Sequence, residues 1–205
     1  MMVIFILSLS PSNAQLERGS VLIGLTSTMN LWGDYGSDLL SIGFSTNKYN
    51  GSDPYKCTSF SLIPRGGYFI MDNLAAGVDI ALSFWSEKST HSDYKESSMG
   101  IVAGPFVRYY YPLEKVYPFA ELNFGIGTEK YGYKSGSYES EDSNSIMLFG
   151  FGLGAAIPLG EKVTFDTTIG YTNVTWKGKD EEADEKNTSG TIGLKMGFSI
   201  FFGPK

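Results

Sequence analysis

From Thr191 to Phe202 the chain alternates in type: Ile192, Leu194, Met196, Phe198, Ile200 and Phe202 are apolar, whereas Thr191, Gly193, Lys195, Gly197 and Ser199 are small, polar or charged. Phe201 alone breaks the pattern. Successive side chains of a strand project to opposite faces, so this segment has one apolar face and one small or charged face. The alternation recurs along the chain at lengths of about ten residues or more, the length a tilted strand needs to cross a bilayer. It predicts strands at about 19–32, 58–70, 74–86, 97–111, 116–128, 145–157, 163–176 and 188–202. The expected fold class is all-β, an eight-stranded, up-and-down antiparallel transmembrane β-barrel.

The connections sort by length. Met71-Asp72-Asn73, Pro112-Leu113-Glu114-Lys115 and Pro158-Leu159-Gly160-Glu161-Lys162 are short and carry turn residues. About 33–57, 87–96, 129–144 and 177–187 are long and polar. Short and long alternate, as they do where periplasmic turns are short and extracellular loops long. Within the first long segment, Leu39-Leu40-Ser41-Ile42-Gly43-Phe44 fits an extra hairpin segment or an extension of the wall. An even count of eight places both termini on the periplasmic side. Aromatics gather at strand ends: Tyr68, Phe69, Tyr109, Tyr110, Tyr111, Tyr117, Phe201 and Phe202 toward the turns, and Trp32, Phe84, Trp85, Tyr131, Tyr133, Tyr171 and Trp176 toward the loops. Two such groups fit interfacial girdles.

The non-lipid face follows from the same alternation. It takes in Ser59, Ser61, Arg65 and Gly67; Gly77, Asp79, Ala81 and Ser83; Gly100, Gly104 and Arg108; Glu121, Asn123, Gly125 and Gly127; Gly150, Gly152 and Gly154; Thr164, Asp166, Thr168 and Gly170; and Lys195. Six charges therefore point inward: Arg65, Arg108 and Lys195 against Asp79, Glu121 and Asp166. Arg65 and Asp79 are equidistant from Asp72, and Arg108 and Glu121 flank the next short turn symmetrically, as cross-strand partners do. The expectation is a belt of alternating charges at one level of the lumen. Eight strands enclose only enough room for side chains, and an inward charge there requires a partner. The belt then reads as a salt-bridged plug, or else as a narrow ion pathway.

Composition narrows the field. The 205 residues suit one domain, with 25 glycines, 15% aromatics and 19% charged residues. A net charge of −6 gives no basic footprint, so no nucleic-acid partner is expected. Met1-Met2-Val3-Ile4-Phe5-Ile6-Leu7, followed by Pro11 and Ser12-Asn13-Ala14-Gln15, fits a signal peptide over residues 1–14, although no Lys or Arg precedes the apolar run. The competing reading of that run is a buried N-terminal strand. The barrel domain is then expected over 15–205.

Chemistry has little to stand on. Cys57 is the single cysteine, so no internal disulfide or thiolate metal site is expected. The single histidine, His91, neighbours Ser92 and Asp93, but three consecutive residues do not form a catalytic triad. Gly150-x-Gly152-x-Gly154 matches a phosphate loop only superficially, because a strand offers no helix N-terminus. The acidic run Asp180-Glu181-Glu182-Ala183-Asp184-Glu185 reads as a solvated loop before a cation site. No catalytic residue, metal or cofactor is expected.

Gly67-Tyr68-Phe69-Ile70-Met71-Asp72-Asn73-Leu74-Ala75-Ala76-Gly77 resembles the second hairpin of the outer membrane β-barrel domain family, the small OmpA/OmpX/opacity-like barrels of Gram-negative bacteria often labelled porin family proteins. Gly104-Pro105-Phe106-Val107-Arg108-Tyr109-Tyr110-Tyr111 is similar to the same family's fourth strand. The resemblance implies an eight-stranded barrel in the outer membrane, surrounded by its lipids and inserted by the barrel-assembly machinery through the C-terminal strand. Members often end on an aromatic residue; here Gly203-Pro204-Lys205 follow Phe202. The leading functional expectation is a non-enzymatic barrel serving envelope structure or surface interaction, with a ligand at its extracellular loops. The alternatives are a narrow porin or ion channel, a lipid-modifying outer-membrane enzyme, and a soluble lipocalin-like barrel with its apolar face inside.

Overall fold

In a computed structural model, the described residues are 16–32, 42–47, 55–178 and 186–203. The expected signal peptide at 1–14 and the acidic run Asp180–Glu185 lie outside them. The elements are β1 (Val21–Trp32), β2 (Ile42–Asn47), β3 (Tyr55–Met71), β4 (Leu74–Ser89), β5 (Lys95–Tyr110), β6 (Tyr117–Ser135), β7 (Tyr138–Pro158), β8 (Val163–Gly178) and β9 (Lys186–Phe202). All the pairings are antiparallel, and sequence neighbours from β3 to β9 pair in order. β1 pairs with β9 on one side and with β3 on the other, from Val21–Tyr68 to Thr26–Ile63, which closes eight strands into a ring. Closure removes the exposed sheet edge that lipid could not hydrogen-bond.

Besides 87–96, where β4 and β5 stay paired to Lys88–Lys95 and only 90–94 connect them, two elements differ from expectation. β2 is a short ninth strand that pairs with β3 from Ile42–Phe60 to Asn47–Tyr55, above the point where β1 leaves it. Of the segment 39–44, open in the sequence between hairpin and wall, 39–41 lie outside the described residues, and 42–44 belong to this strand paired with β3. The second difference is at 129–144, expected as a long loop. There β6 and β7 stay in register from Glu129–Asn144 to Ser135–Tyr138, with Gly136 and Ser137 between them. Tyr131, Tyr133 and Tyr138 supply β-propensity, and Gly136 takes the left-handed φ of 60° that a tight turn needs. Polarity marked the segment as leaving the membrane, not as leaving the sheet.

The first short turn carries a second left-handed residue, Asn73 at φ 66°. Its backbone also holds the turn side together: Asn73 N–H donates to the Leu16 carbonyl at 2.7 Å, and its own carbonyl accepts from Tyr110 N–H at 2.8 Å. Asparagine tolerates this conformation better than most residues other than glycine do, because its short polar side chain can hydrogen-bond locally. Replacing Asn73 with alanine is expected to destabilise the fold by about 1 kcal/mol, and with glycine to leave it unchanged. Urea unfolding in lipid vesicles measures both; equal stability of all three proteins would refute a strained turn.

The alternation resolves into two faces. Val78, Ile80, Val107, Leu122, Phe124, Phe149, Phe151, Leu153, Ile169, Ile192, Phe198 and Ile200 are exposed on the outside, while Leu22, Phe69, Phe106, Phe119 and Phe201 are buried within the ring. Among the described residues no helix is long and apolar enough to cross a membrane.

Candidate functional site: the charged and aromatic interior

Arg65 on β3 and Asp79 on β4 are registered partners, and so are Arg108 on β5 and Glu121 on β6. Arg65 clasps Asp79 through two parallel bonds, Nε to Oδ1 and Nη2 to Oδ2, each 2.7 Å. Arg108 Nε donates to Glu121 Oε2 at 2.7 Å. The hairpins alone dictate these pairs. Two further bonds cross the interior: Arg65 donates through Nη1 and Nη2 to both oxygens of Glu121, and Arg108 Nη1 donates to Asp166 Oδ2 on β8. Each of these crossings joins strands three apart in the ring. The result is a continuous chain, Asp79–Arg65–Glu121–Arg108–Asp166, in which cation and anion alternate.

Lys195 stands outside that bonded chain. The expectation set it level with Asp166, but β8 and β9 pair Thr168 with Lys195, and Asp166 with Gly197. Asp166 therefore takes its cation, Arg108, from across the lumen. The remaining acceptor sites of Asp166 are filled by neighbours that the sequence does not assign to it. Thr164 Oγ1 donates to Oδ1 at 2.7 Å and Ser199 Oγ to Oδ2 at 2.8 Å. Arg108 is 1% exposed, and such burial is tolerable because its donors are filled by Glu121, Asp166 and, at 3.1 Å, the Tyr110 hydroxyl.

Aromatic rings pack on the guanidinium planes and close the turn side. The Arg65 guanidinium lies 4.1 Å from the Phe106 ring centroid, and that of Arg108 lies 4.0 Å from Phe119. Below them Tyr110 meets Phe69 at 5.8 Å, Phe119 at 5.6 Å and Phe201 at 6.2 Å between ring centroids. Leu16 completes the same buried cluster. This corrects the turn-side girdle. Tyr68, Tyr109, Tyr111 and Phe202 do face outward, but Phe69, Tyr110, Tyr117 and Phe201 are buried inside. They lie on the inward phase with Arg65, Arg108, Glu121 and Lys195, so parity could have found them; the apparent break at Phe201 is a plug residue on its proper face.

The loop-side aromatics divide too. Phe84 is exposed on the outside, and Tyr171 stacks against outward-facing Phe151 at 5.7 Å. Trp85, Tyr131, Tyr133 and Trp176 fall on the inward phase. Trp32's side chain lies outside the description. His91 sits in the exposed turn after β4, its Nδ1 2.7 Å from Thr90 Oγ1, away from the interior charges. Cys57 Sγ lies 3.2 Å from Glu87 Oε2. Among the described residues no group of three His, Cys, Asp or Glu side chains is placed to hold a metal ion.

A closed ring of bilayer-length strands, apolar outside and charge-paired within, defines a β-sheet membrane protein. The sequence profile of the outer membrane protein beta-barrel domain matches residues 20–202, and the chain belongs to that family. It resides in the outer membrane. Solved structures similar to it include OprG from Pseudomonas aeruginosa, 14% identical over 92% of this chain and 98% of that one, with a TM-score of 0.44. The N-terminal β-barrel domain of Pseudomonas aeruginosa OprF is 12% identical over 90% of this chain and 98% of that one, at 0.42. Ail of Yersinia pestis is 18% identical over 89% and 99%, at 0.41. Among curated proteins no match is found.

Proposed function

We propose that the protein is a non-enzymatic outer-membrane barrel with a closed interior, which serves envelope structure or surface contact through its loop end. One observation supports this above the others: the bonded chain Asp79–Arg65–Glu121–Arg108–Asp166 spans the lumen directly above a buried aromatic cluster. An ion moving along the axis would have to break charge pairs in a dry environment and then displace packed rings. Insertion through the C-terminal strand by the barrel-assembly machinery fits the outward Phe202, and the extracellular loops are where a partner would be met.

Planar-bilayer recording tests the closed lumen. The wild-type protein is expected to give no stable single-channel steps. A steady conductance whose size changes in Arg108→Ala or Glu121→Ala would instead establish a pathway through the charges.

A further inference from the structure

The outward face carries a separate feature at the loop end. The registered pairs Lys56–Lys88, Lys88–Lys95 and Lys95–Lys134 join four lysines into one row across β3, β4, β5 and β6. All four occupy the phase opposite to the lumen charges, and all four are exposed. With strands about 4.8 Å apart, the row is roughly 14 Å long. Like charges directly opposite one another destabilise a sheet, and here the juxtaposition occurs three times in succession.

The local acids do little to offset it. Among the described strand residues near this end, Glu139 and Glu141 on β7 share the outward phase, and Lys134 meets Glu139 at 3.4 Å in an exposed pair. Glu87, Glu96, Glu129 and Asp142 at the same level fall on the inward phase. Although the whole chain carries −6, this outer strip is basic.

Its height is informative as well. Phe84 and Met99 are exposed apolar residues on the outward phase, four positions below Lys88 and Lys95. Four residues are about 13 Å along a strand, or roughly 10 Å along the axis at a tilt of about 40°. Polar head groups occupy about 5–8 Å beyond each side of the hydrocarbon. Lysine stems that bend back toward the band bring their ammonium groups to that layer.

We propose that this row is a docking surface for the phosphate-bearing head group of an outer-leaflet glycolipid. Lysine binds phosphate as a point charge, and an anion with two phosphates can span neighbouring members of the row. The row faces sideways just above the apolar band, where a head group is always present; because Lys88, Lys95 and Lys134 also lie beside hairpin turns, a soluble polyanion is the competing occupant that the test separates.

The test uses Lys56→Gln/Lys88→Gln/Lys95→Gln, which leaves Lys134 with Glu139. Wild type and variant are refolded into phosphatidylcholine vesicles containing bis-phosphorylated or dephosphorylated lipid A. They are then extracted into mild detergent, and the glycolipid retained per barrel is read by native mass spectrometry. The wild type should retain the phosphorylated lipid selectively, and the variant should bind it roughly a hundredfold more weakly, from about 1 kcal/mol per lysine. Inorganic phosphate at the same concentration should not displace it. In pure phosphatidylcholine the variant should unfold at the same or a higher urea concentration, because repulsion has been relieved. Equal retention by both proteins, equal retention of the dephosphorylated lipid, displacement by inorganic phosphate, preference for a soluble sulfated polysaccharide, or a variant less stable in phosphatidylcholine would each overturn the proposal.

Discussion

Replacing Arg108 with alanine is expected to destabilise the folded barrel by about 3–5 kcal/mol. The side chain serves Glu121, Asp166 and the Tyr110 hydroxyl at once, and its guanidinium covers the Phe119 ring. Its loss leaves the belt of three cations (Arg65, Arg108, Lys195) and three anions (Asp79, Glu121, Asp166) with one uncompensated carboxylate. Asp166 would keep Thr164 and Ser199, and Glu121 would keep Arg65, so the damage is chiefly electrostatic. That reasoning makes the double variant Arg108→Met/Glu121→Gln informative. It restores neutrality with Arg65 and Lys195 against Asp79 and Asp166, and should cost less than the sum of the single changes by at least about 1 kcal/mol. Reversible urea unfolding in vesicles, followed by tryptophan fluorescence, closes the cycle. Strict additivity, or a single-variant cost near zero, would mean that water screens these charges and that the lumen is wet.

The two halves of the interior chain were not equally legible in the sequence. Arg65–Asp79 and Arg108–Glu121 could be read because hairpin register follows from the turn, and the distance of each residue from the turn fixes its partner. Arg65–Glu121 and Arg108–Asp166 depend on the diameter and shear of the closed ring, which no local spacing encodes. Lys195 marks where local spacing stops: a belt at one level would set it at the height of Asp166, while the β8–β9 register places it opposite Thr168. The aromatic plug was hidden for a different reason. Position along the axis groups all the strand-end aromatics together, whereas the parity that places Arg65 and Arg108 inside also places Phe69 and Tyr110 there. The hairpin at 129–144 was missed because polarity reports solvent, whereas strand formation continues wherever register and propensity agree. The segment 39–44 fits either a hairpin or the wall because a short apolar run gives the same signal in both, and only the pairing of Ile42–Phe44 with β3 decides between them.

Ring diameter also leads to the strongest expected effect of adding one side chain. Arg65 reaches Glu121, and Arg108 reaches Asp166, only because the strands coil tightly, and at several points their backbones approach too closely for a Cβ. A side chain at Gly104 would overlap the Phe124 carbonyl oxygen and sit 2.6 Å from Gly125 Cα. At Gly127 it would overlap the Ile101 carbonyl oxygen and sit 2.6 Å from Val102 Cα. These obstacles are backbone atoms of a paired strand, so no rotamer change relieves them. Gly104→Val should therefore lose more than about 4 kcal/mol and fail to refold into vesicles at yields where the wild type succeeds. Gly100→Ala meets only the Ser83 hydroxyl, which can rotate, and Gly66 has open space within 4 Å, so alanine at either position should change stability by less than about 1 kcal/mol. The assay is heat-modifiable gel mobility, in which the folded barrel migrates apart from the boiled chain. If Gly104→Val folded as readily as Gly66→Ala, the strands would not be held at this separation, and the cross-lumen ion pairs that depend on it would have to be abandoned with it.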